Sequence, residues 1–207
     1  MTPEIIKRVD NFTDAAFAFA VTLMVVGAGG SGADAATLES AVAAIPSFAI
    51  GFAIITLFWF SHVQWRALRG PGDARSLLLT LLLIFMVLVY IVPLRAMSVA
   101  FAAFLIGDHD AYRGGLGHLF TIYGFGFTAM SAITVLLFRD ALRNHDLDPE
   151  KRRMAAGQSW IWLILASTGL ASTLLAMIPG PHLFAPFLYA TLPVTIGLFS
   201  WRWRWAG

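Results

Sequence analysis

The sequence contains no cysteine. That absence excludes disulfides, thiolate metal sites and a cysteine nucleophile. Charge is scarce as well: Asp, Glu, Lys and Arg make up 13% of the 207 residues, where a soluble domain carries about 25%. A chain this poor in charge cannot coat itself with a hydrated surface. The signatures of soluble enzymes are missing too, with no G-x-x-x-x-G-K-[ST], no H-E-x-x-H and no G-x-S-x-G. The five histidines, His62, His109, His118, His145 and His182, have no metal-like spacing. No cofactor and no enzymatic activity are expected. The T-V-G-Y-G carbonyl filter of ordinary potassium channels is also lacking, so any potassium conduction has to use another device.

What the chain has in abundance is apolar sequence. Hydrophobic residues make up 58% of it, and the mean hydropathy is +0.75. Apolar runs of about 20 residues span a bilayer as helices. Six are read here, at about 12–29, 41–63, 77–103, 116–138, 159–178 and 183–201. The first, with Asp14 inside it and Gly-rich sequence after it, reads as a retained helix and not a cleaved signal. The third is too long for a straight span and is expected to leave the membrane near Pro93, with Arg95 reaching the headgroups. The fold class is therefore an all-α integral membrane protein of six transmembrane helices, in a single domain over 1–207.

Lysine and arginine set the orientation. Lys7 and Arg8, then Arg66, Arg69 and Arg75, then Arg139, Arg143, Lys151, Arg152 and Arg153, and finally Arg202 and Arg204 fall in alternate connections. The other connections carry Asp34, Glu39, Asp108 and Asp110, with Arg113. Both termini are thus expected in the cytoplasm, which an even number of spans requires. The largest connection, 139–157, reads as a solvated cytoplasmic hairpin with a helix starting at Pro149. The terminal Trp201-Arg-Trp-Arg-Trp205 suits a membrane–water interface; it reads as an anchor in the bilayer and not as a nucleic-acid patch.

Two places put polar groups at membrane depth. One is Arg8, Phe12, Thr13 and Asp14 at the mouth of the first helix; the other is Trp59 and His62 near the end of the second. Because the first helix enters and the second returns on the same side, the two sites share a depth. An ionised Asp14 needs a cation or a donor, and Arg8, His62 and the Trp59 indole are available. Taken alone, these residues read as a staple between two helices. Phe12, Phe19, Leu23 and Val26 form a stripe along the first helix, with Thr22 beside it, and Ala15, Ala16, Ala18 and Ala20 permit close packing.

The segment Arg8-Val-Asp-Asn-Phe12-Thr13-Asp14 resembles the R-x-x-x-F-S-D signature of the transmembrane protein 175 family, endolysosomal potassium channels in animals with single-repeat relatives in bacteria. Arg8, Phe12 and Asp14 match at their spacing, and Thr13 replaces the serine while keeping a hydroxyl. Ala15 to Leu23 looks like the family's first helix, and Trp59-x-x-His62 resembles its W-x-x-H element. The resemblance implies a multi-pass protein of a bacterial plasma membrane. It implies a homotetramer in which four first helices line a pore for monovalent cations, with potassium preferred. It further implies that rings of apolar side chains close the pore: Phe19 at the narrowest point, five residues after Asp14, then Leu23 and Val26, with Thr22 near the path. The family usually places Ile or Leu at the first ring, so Phe19 is a departure. In this picture Arg8, Asp14, Trp59 and His62 set the tilt of the first helix. Two other readings stand beside it. One is a proton-coupled transporter or proton leak relayed by Asp14 and His62. The other is a membrane enzyme or scaffold, which no nucleophile–base pair recommends.

Overall fold

A computed structural model describes residues 2–26, 42, 44–105, 107 and 116–205. The Gly-rich segment after the first helix and the acidic residues Asp34, Glu39, Asp108 and Asp110, with His109 and Arg113, lie outside the described residues.

All regular structure among the described residues is helical: α1 Pro3–Val26, α2 Ile45–Arg69, α3 Ala74–Leu105, α4 Leu116–Ala141, α5 Pro149–Ala176, a 3-10 segment Pro181–Thr191, and α6 Leu192–Trp205. Among the described residues five stretches are long and apolar enough to cross a membrane: Ile45–Arg69, Ala74–Leu105, Gly117–Ala141, Pro149–Ala176 and Phe184–Trp203. The sixth expected span, α1, does not meet that measure. Lys7, Arg8, Asp10 and Asp14 occupy its first half, and its apolar half reaches the limit of the described residues at Val26.

One expectation about local structure is corrected, that of a single helix over the last apolar run. Pro93 lies inside α3, which continues unbroken for 32 residues. At about 1.5 Å per residue that helix is near 48 Å long, more than the ~30 Å of a hydrocarbon core, so its extra length is taken up by projection and not by a break. The last apolar run is not one α-helix. Pro181, Pro186 and Pro193 have no N–H to give to the carbonyl four residues back, and the chain runs as a 3-10 segment until α6 starts at Leu192.

The helix ends on the basic side of the bundle are capped by carboxylates. Asp148 precedes Pro149 and accepts a hydrogen bond from the Lys151 backbone N–H at 2.8 Å, so α5 starts where the proline led one to expect. Asp73 does the same for α3, accepting from the Ser76 N–H at 2.9 Å. Those backbone N–H groups hold both carboxyls below the usual carboxylate range. A carboxyl depressed in the folded state stabilises above its unfolded pKa of about 4, and the contribution fades as pH falls through the lower folded value. Amide exchange at Lys151, corrected for intrinsic rate, is therefore expected to accelerate between pH 5 and pH 2. The same acid limb is expected to be missing in Asp148→Ala, which loses the cap at every pH.

The core runs through α2, α3, α4 and α5. Phe58 packs edge-on to Phe127 at 5.8 Å and lies 5.0 Å from Trp162. Helices α4 and α5 approach closely where Gly124 faces Thr173 and Gly169 faces Thr128. Helix α1 stands at the edge of this body and packs against α2 and α3.

Candidate functional site

Helix α1 buries one face and leaves the other bare. Thr13, Phe17, Ala20 and Met24 are at most 3% exposed, a spacing that keeps them on one side of the helix. Met24 is received by Gly51 of α2, whose missing side chain makes the room. Arg8, Phe12, Ala15, Phe19 and Thr22 are all exposed on the opposite side, and Phe12 and Phe19 are each 56% exposed. These five positions recur at intervals of four, three, four and three, the repeat of a helix that meets others along a seam. Leu23 is half-buried and packs against the core, so Thr22, more than Leu23, continues the bare stripe beyond Phe19. The Thr22 hydroxyl donates to the Ala18 carbonyl at 3.0 Å. Val26 is the last residue of α1.

Below that stripe, polar groups tie α1 to α2. The Trp59 indole N–H donates to Asp14 Oδ1 at 2.9 Å. About one turn toward the N-terminus, Asp10 Oδ1 accepts from Arg66 Nε at 2.8 Å. Thr13, between the two carboxylates, turns its hydroxyl back on its own helix and donates to the Val9 carbonyl at 2.8 Å. The shared depth of Asp14 and Trp59 is thus realised as a hydrogen bond. The other two suggested partners of Asp14 are placed elsewhere. His62 is buried, with Nε2 3.2 Å from Thr80 Oγ1 of α3 and its ring 5.0 Å from that of Trp65. Arg8 is exposed on the bare face and makes no ion pair among the described residues. No hydrogen bond joins Asp14 to His62 among the described residues, so a direct proton relay between them is not built.

Trp59→Phe keeps the ring and removes the donor. It is expected to lower stability by about 1 kcal/mol, less than the ~1.5–3 kcal/mol of a buried hydrogen bond to a charged group because the site is open to solvent. A fall of a few degrees in the thermal melt of the purified protein would register it, and an unchanged melt would show that the bond carries no load.

Sequence reasoning missed two groups. The Asp10–Arg66 pair continues the antiparallel register of α1 and α2, and the length of the arginine side chain closes the gap. The second group centres on Asp140, which is fully buried. Its Oδ2 accepts from Arg69 Nε at 2.8 Å and from Ser76 Oγ at 2.6 Å. Its Oδ1 lies 3.8 Å from Arg143 Nη1 and 4.0 Å from Arg75 Nε, without a hydrogen bond among the described residues. One carboxylate so gathers the ends of α2, α3 and α4. The signal was a carboxylate in the last turn of a helix, where the macrodipole disfavours it unless cations are at hand.

No group of three or more His, Asp or Glu that could hold a metal ion occurs among the described residues. What the site offers is a helix face, positioned from behind and left uncovered in front.

Residues 8–93 match the family described as the endosomal/lysosomal potassium channel TMEM175. A protein named "Potassium channel" from Marivirga tractuosa is 30% identical in an alignment that covers 68% of this chain and 61% of that relative. The chain thus spans about three fifths of the relative's length. A solved structure, that of a variant of the potassium channel MtTMEM175 in complex with a nanobody–MBP fusion protein, superposes with a TM-score of 0.78 at 24% identity. The likeness covers 93% of this chain and 91% of that one, and it shows a shared fold.

Proposed function

We infer from the TMEM175 family, to which this chain belongs, that the protein is a potassium-preferring cation channel of a bacterial plasma membrane. Four copies surround a central path lined by α1. The five spans and α1 cross the bilayer, and both termini lie in the cytoplasm, on the side where the basic connections gather. The observation that carries this reading is the bare face of α1. Arg8, Asn11 and Thr22 share it with Phe12 and Phe19. The exposed positions recur at intervals of four and three, the repeat of a helix that meets copies of itself along a seam. A seam between copies that encloses water accommodates the polar and the apolar members together.

The gate follows from the same face. Four Phe19 rings form the narrowest ring, Thr22 continues the lining beyond it toward Val26, and Leu23, half-buried against the core, stands at the flank of the path. A narrow apolar neck expels water, and an ion cannot shed its hydration shell there cheaply. A small widening readmits water and current. Potassium holds its shell less tightly than sodium and passes more easily, with a preference weaker than a carbonyl filter gives. Arg8 and Phe12 extend the bare face on the N-terminal side of the gate, and Thr13, Asp14, Trp59 and His62 act behind it. The Asp14–Trp59 and Asp10–Arg66 links fix the angle of α1 against α2, and His62 fixes α2 against α3.

The experiment is current through the purified protein in planar bilayers, joined to subunit counting by native mass spectrometry. Potassium current larger than sodium current from a species of four chains is the expected result. Silent bilayers, or a stable monomer, would overturn the reading.

A further inference from the structure

We propose that the bundle binds an anionic phospholipid where the ends of α2, α3 and α4 meet, with the phosphate between Arg75 and Arg143 and an acyl chain along the outer face of α3. The buried Asp140 assembles the headgroup site. Its Oδ2 is committed to Arg69 and Ser76. Its Oδ1 lies 3.8 Å from Arg143 Nη1 and 4.0 Å from Arg75 Nε, too far for a hydrogen bond in either case. The two guanidiniums thus stand beside one oxygen, near enough for a single phosphate to touch both. Each side chain is about half exposed, and Asp140 Oδ1 takes no hydrogen bond from either among the described residues. Their donors are gathered but not spent.

Charge is left over as well. Arg69, Arg75 and Arg143 share the carboxylates of Asp140 and Asp73, so one positive charge is unbalanced. Arg139, exposed in the last turn of α4, adds a second. Guanidinium donors match the oxygens of a phosphate. The chain's place is marked on α3. Below Arg75, Leu78, Leu82, Phe85 and Val89 are all exposed, and their spacing of four, three and four puts them on one side of the helix. On α4, Leu136 is exposed one turn inward of Arg139. Helix α3 is long and apolar enough to cross a membrane, so its stripe stands in hydrocarbon while Arg75, less than one turn beyond Leu78, reaches headgroup level. A basic site between spans at the positively charged side of a bundle is a general way of holding anionic lipid. A free phosphate satisfies the arginines alone and a neutral lipid the stripe alone; an anionic phospholipid satisfies both.

The test uses the full chain in phosphatidylcholine nanodiscs that carry a trace of photoactivatable lipid, either phosphatidylglycerol or phosphatidylcholine, with a diazirine in one acyl chain. After photolysis the label is located by peptide mass spectrometry, and the yield with the anionic lipid is divided by the yield with the neutral one. That ratio is expected to be about tenfold higher at 78–89 than at 170–174, a stretch of α5 with Leu170 and Leu174 exposed. Arg75→Gln combined with Arg143→Gln is expected to bring it down to the α5 value while the thermal melt shows a folded chain. The paired lysine variant, which keeps both charges, is expected to retain most of it. Arg202→Gln, which removes an exposed charge on α6, is expected to leave it unchanged. Inorganic phosphate in excess, at matched ionic strength, is also expected to leave it in place. Equal ratios at the two stretches, or a ratio that survives the double glutamine variant, would overturn the proposal. Loss of the ratio to inorganic phosphate would assign the arginines to a free anion and overturn it too. Absence of any label at 78–89 would do the same, since a second copy would then cover the stripe.

Discussion

Phe19→Ala is expected to raise potassium current about tenfold or more and to lower the preference for potassium over sodium. The residue stands 56% exposed on a helix whose other face is packed to 3% or less, so trimming it leaves the packed face of α1 untouched. What it changes is the width of the neck that four copies make. A tenfold rise corresponds to about 1.4 kcal/mol off the barrier to permeation, a modest share of the cost of partly dehydrating an ion. The preference falls because a wider neck strips less water, and the difference between the two ions' shells then counts for less. Phe19→Leu, which returns the ring to the side chain usual in the family, is expected to lie between the two. Single-channel recording in symmetric potassium, followed by reversal potentials against sodium, checks both statements. Unchanged conductance in Phe19→Ala would remove Phe19 from the path while leaving the fold intact.

The second large effect is on stability and lies far from the path. Asp140→Leu is expected to destabilise the protein by about 3–5 kcal/mol, the loss that follows when one partner of a buried ion pair is removed. Arg69, whose side chain is 12% exposed, then keeps only the half-exposed Asp73, at 3.5 Å, as a carboxylate partner, and Ser76 keeps only its longer contact to Asp73 at 3.2 Å. Asp140→Asn is expected to fall short of that, because an amide oxygen still accepts from Ser76 and Arg69. Arg75 and Arg143 are about half exposed and stand farther off, so Arg75→Ala or Arg143→Ala is expected to cost under about 1 kcal/mol. A thermal melt series over the four variants orders them. The order of effects separates a clamp built on one carboxylate from a diffuse attraction among surface charges, which would make all four alike.

Much of the helix inventory was legible from hydropathy, but hydropathy marks depth in a membrane and not the extent of a helix. That is why α1 extends back to Pro3 through Glu4, Lys7 and Asp10, residues a helix accepts readily outside lipid, and why α2 runs on to Arg69. The unbroken course through Pro93 was not legible, since one lost hydrogen bond in a long apolar helix is outweighed by packing on both sides of it at Leu83, Val87, Leu94 and Met97. Three prolines around the final span did carry a readable signal of a 3-10 stretch, and the apolar run concealed it.

In the site, the contact of Trp59 with Asp14 could be read because two helices joined in antiparallel fashion share depth. The choice of Thr80 by His62 could not, because it depends on where α3 lies. The exposed stripe has Thr22 where the expected one had Leu23, and it adds Arg8 and Ala15. A straight helix advances 3.6 residues per turn, so a stripe drawn by eye drifts sideways within two turns.

The central claim is that the bare face of α1 lines a water-filled path, and the absence of cysteine makes the direct measurement simple. Phe19→Cys, Thr22→Cys and Phe85→Cys each carry one thiol in a chain with no other. A positively charged, membrane-impermeant thiol reagent is applied during current recording. Rapid, irreversible block of Phe19→Cys and Thr22→Cys, with Phe85→Cys on the outer face of α3 untouched, is the expected result. Block at Phe85→Cys, or none at Phe19→Cys and Thr22→Cys in a conducting protein, would contradict it.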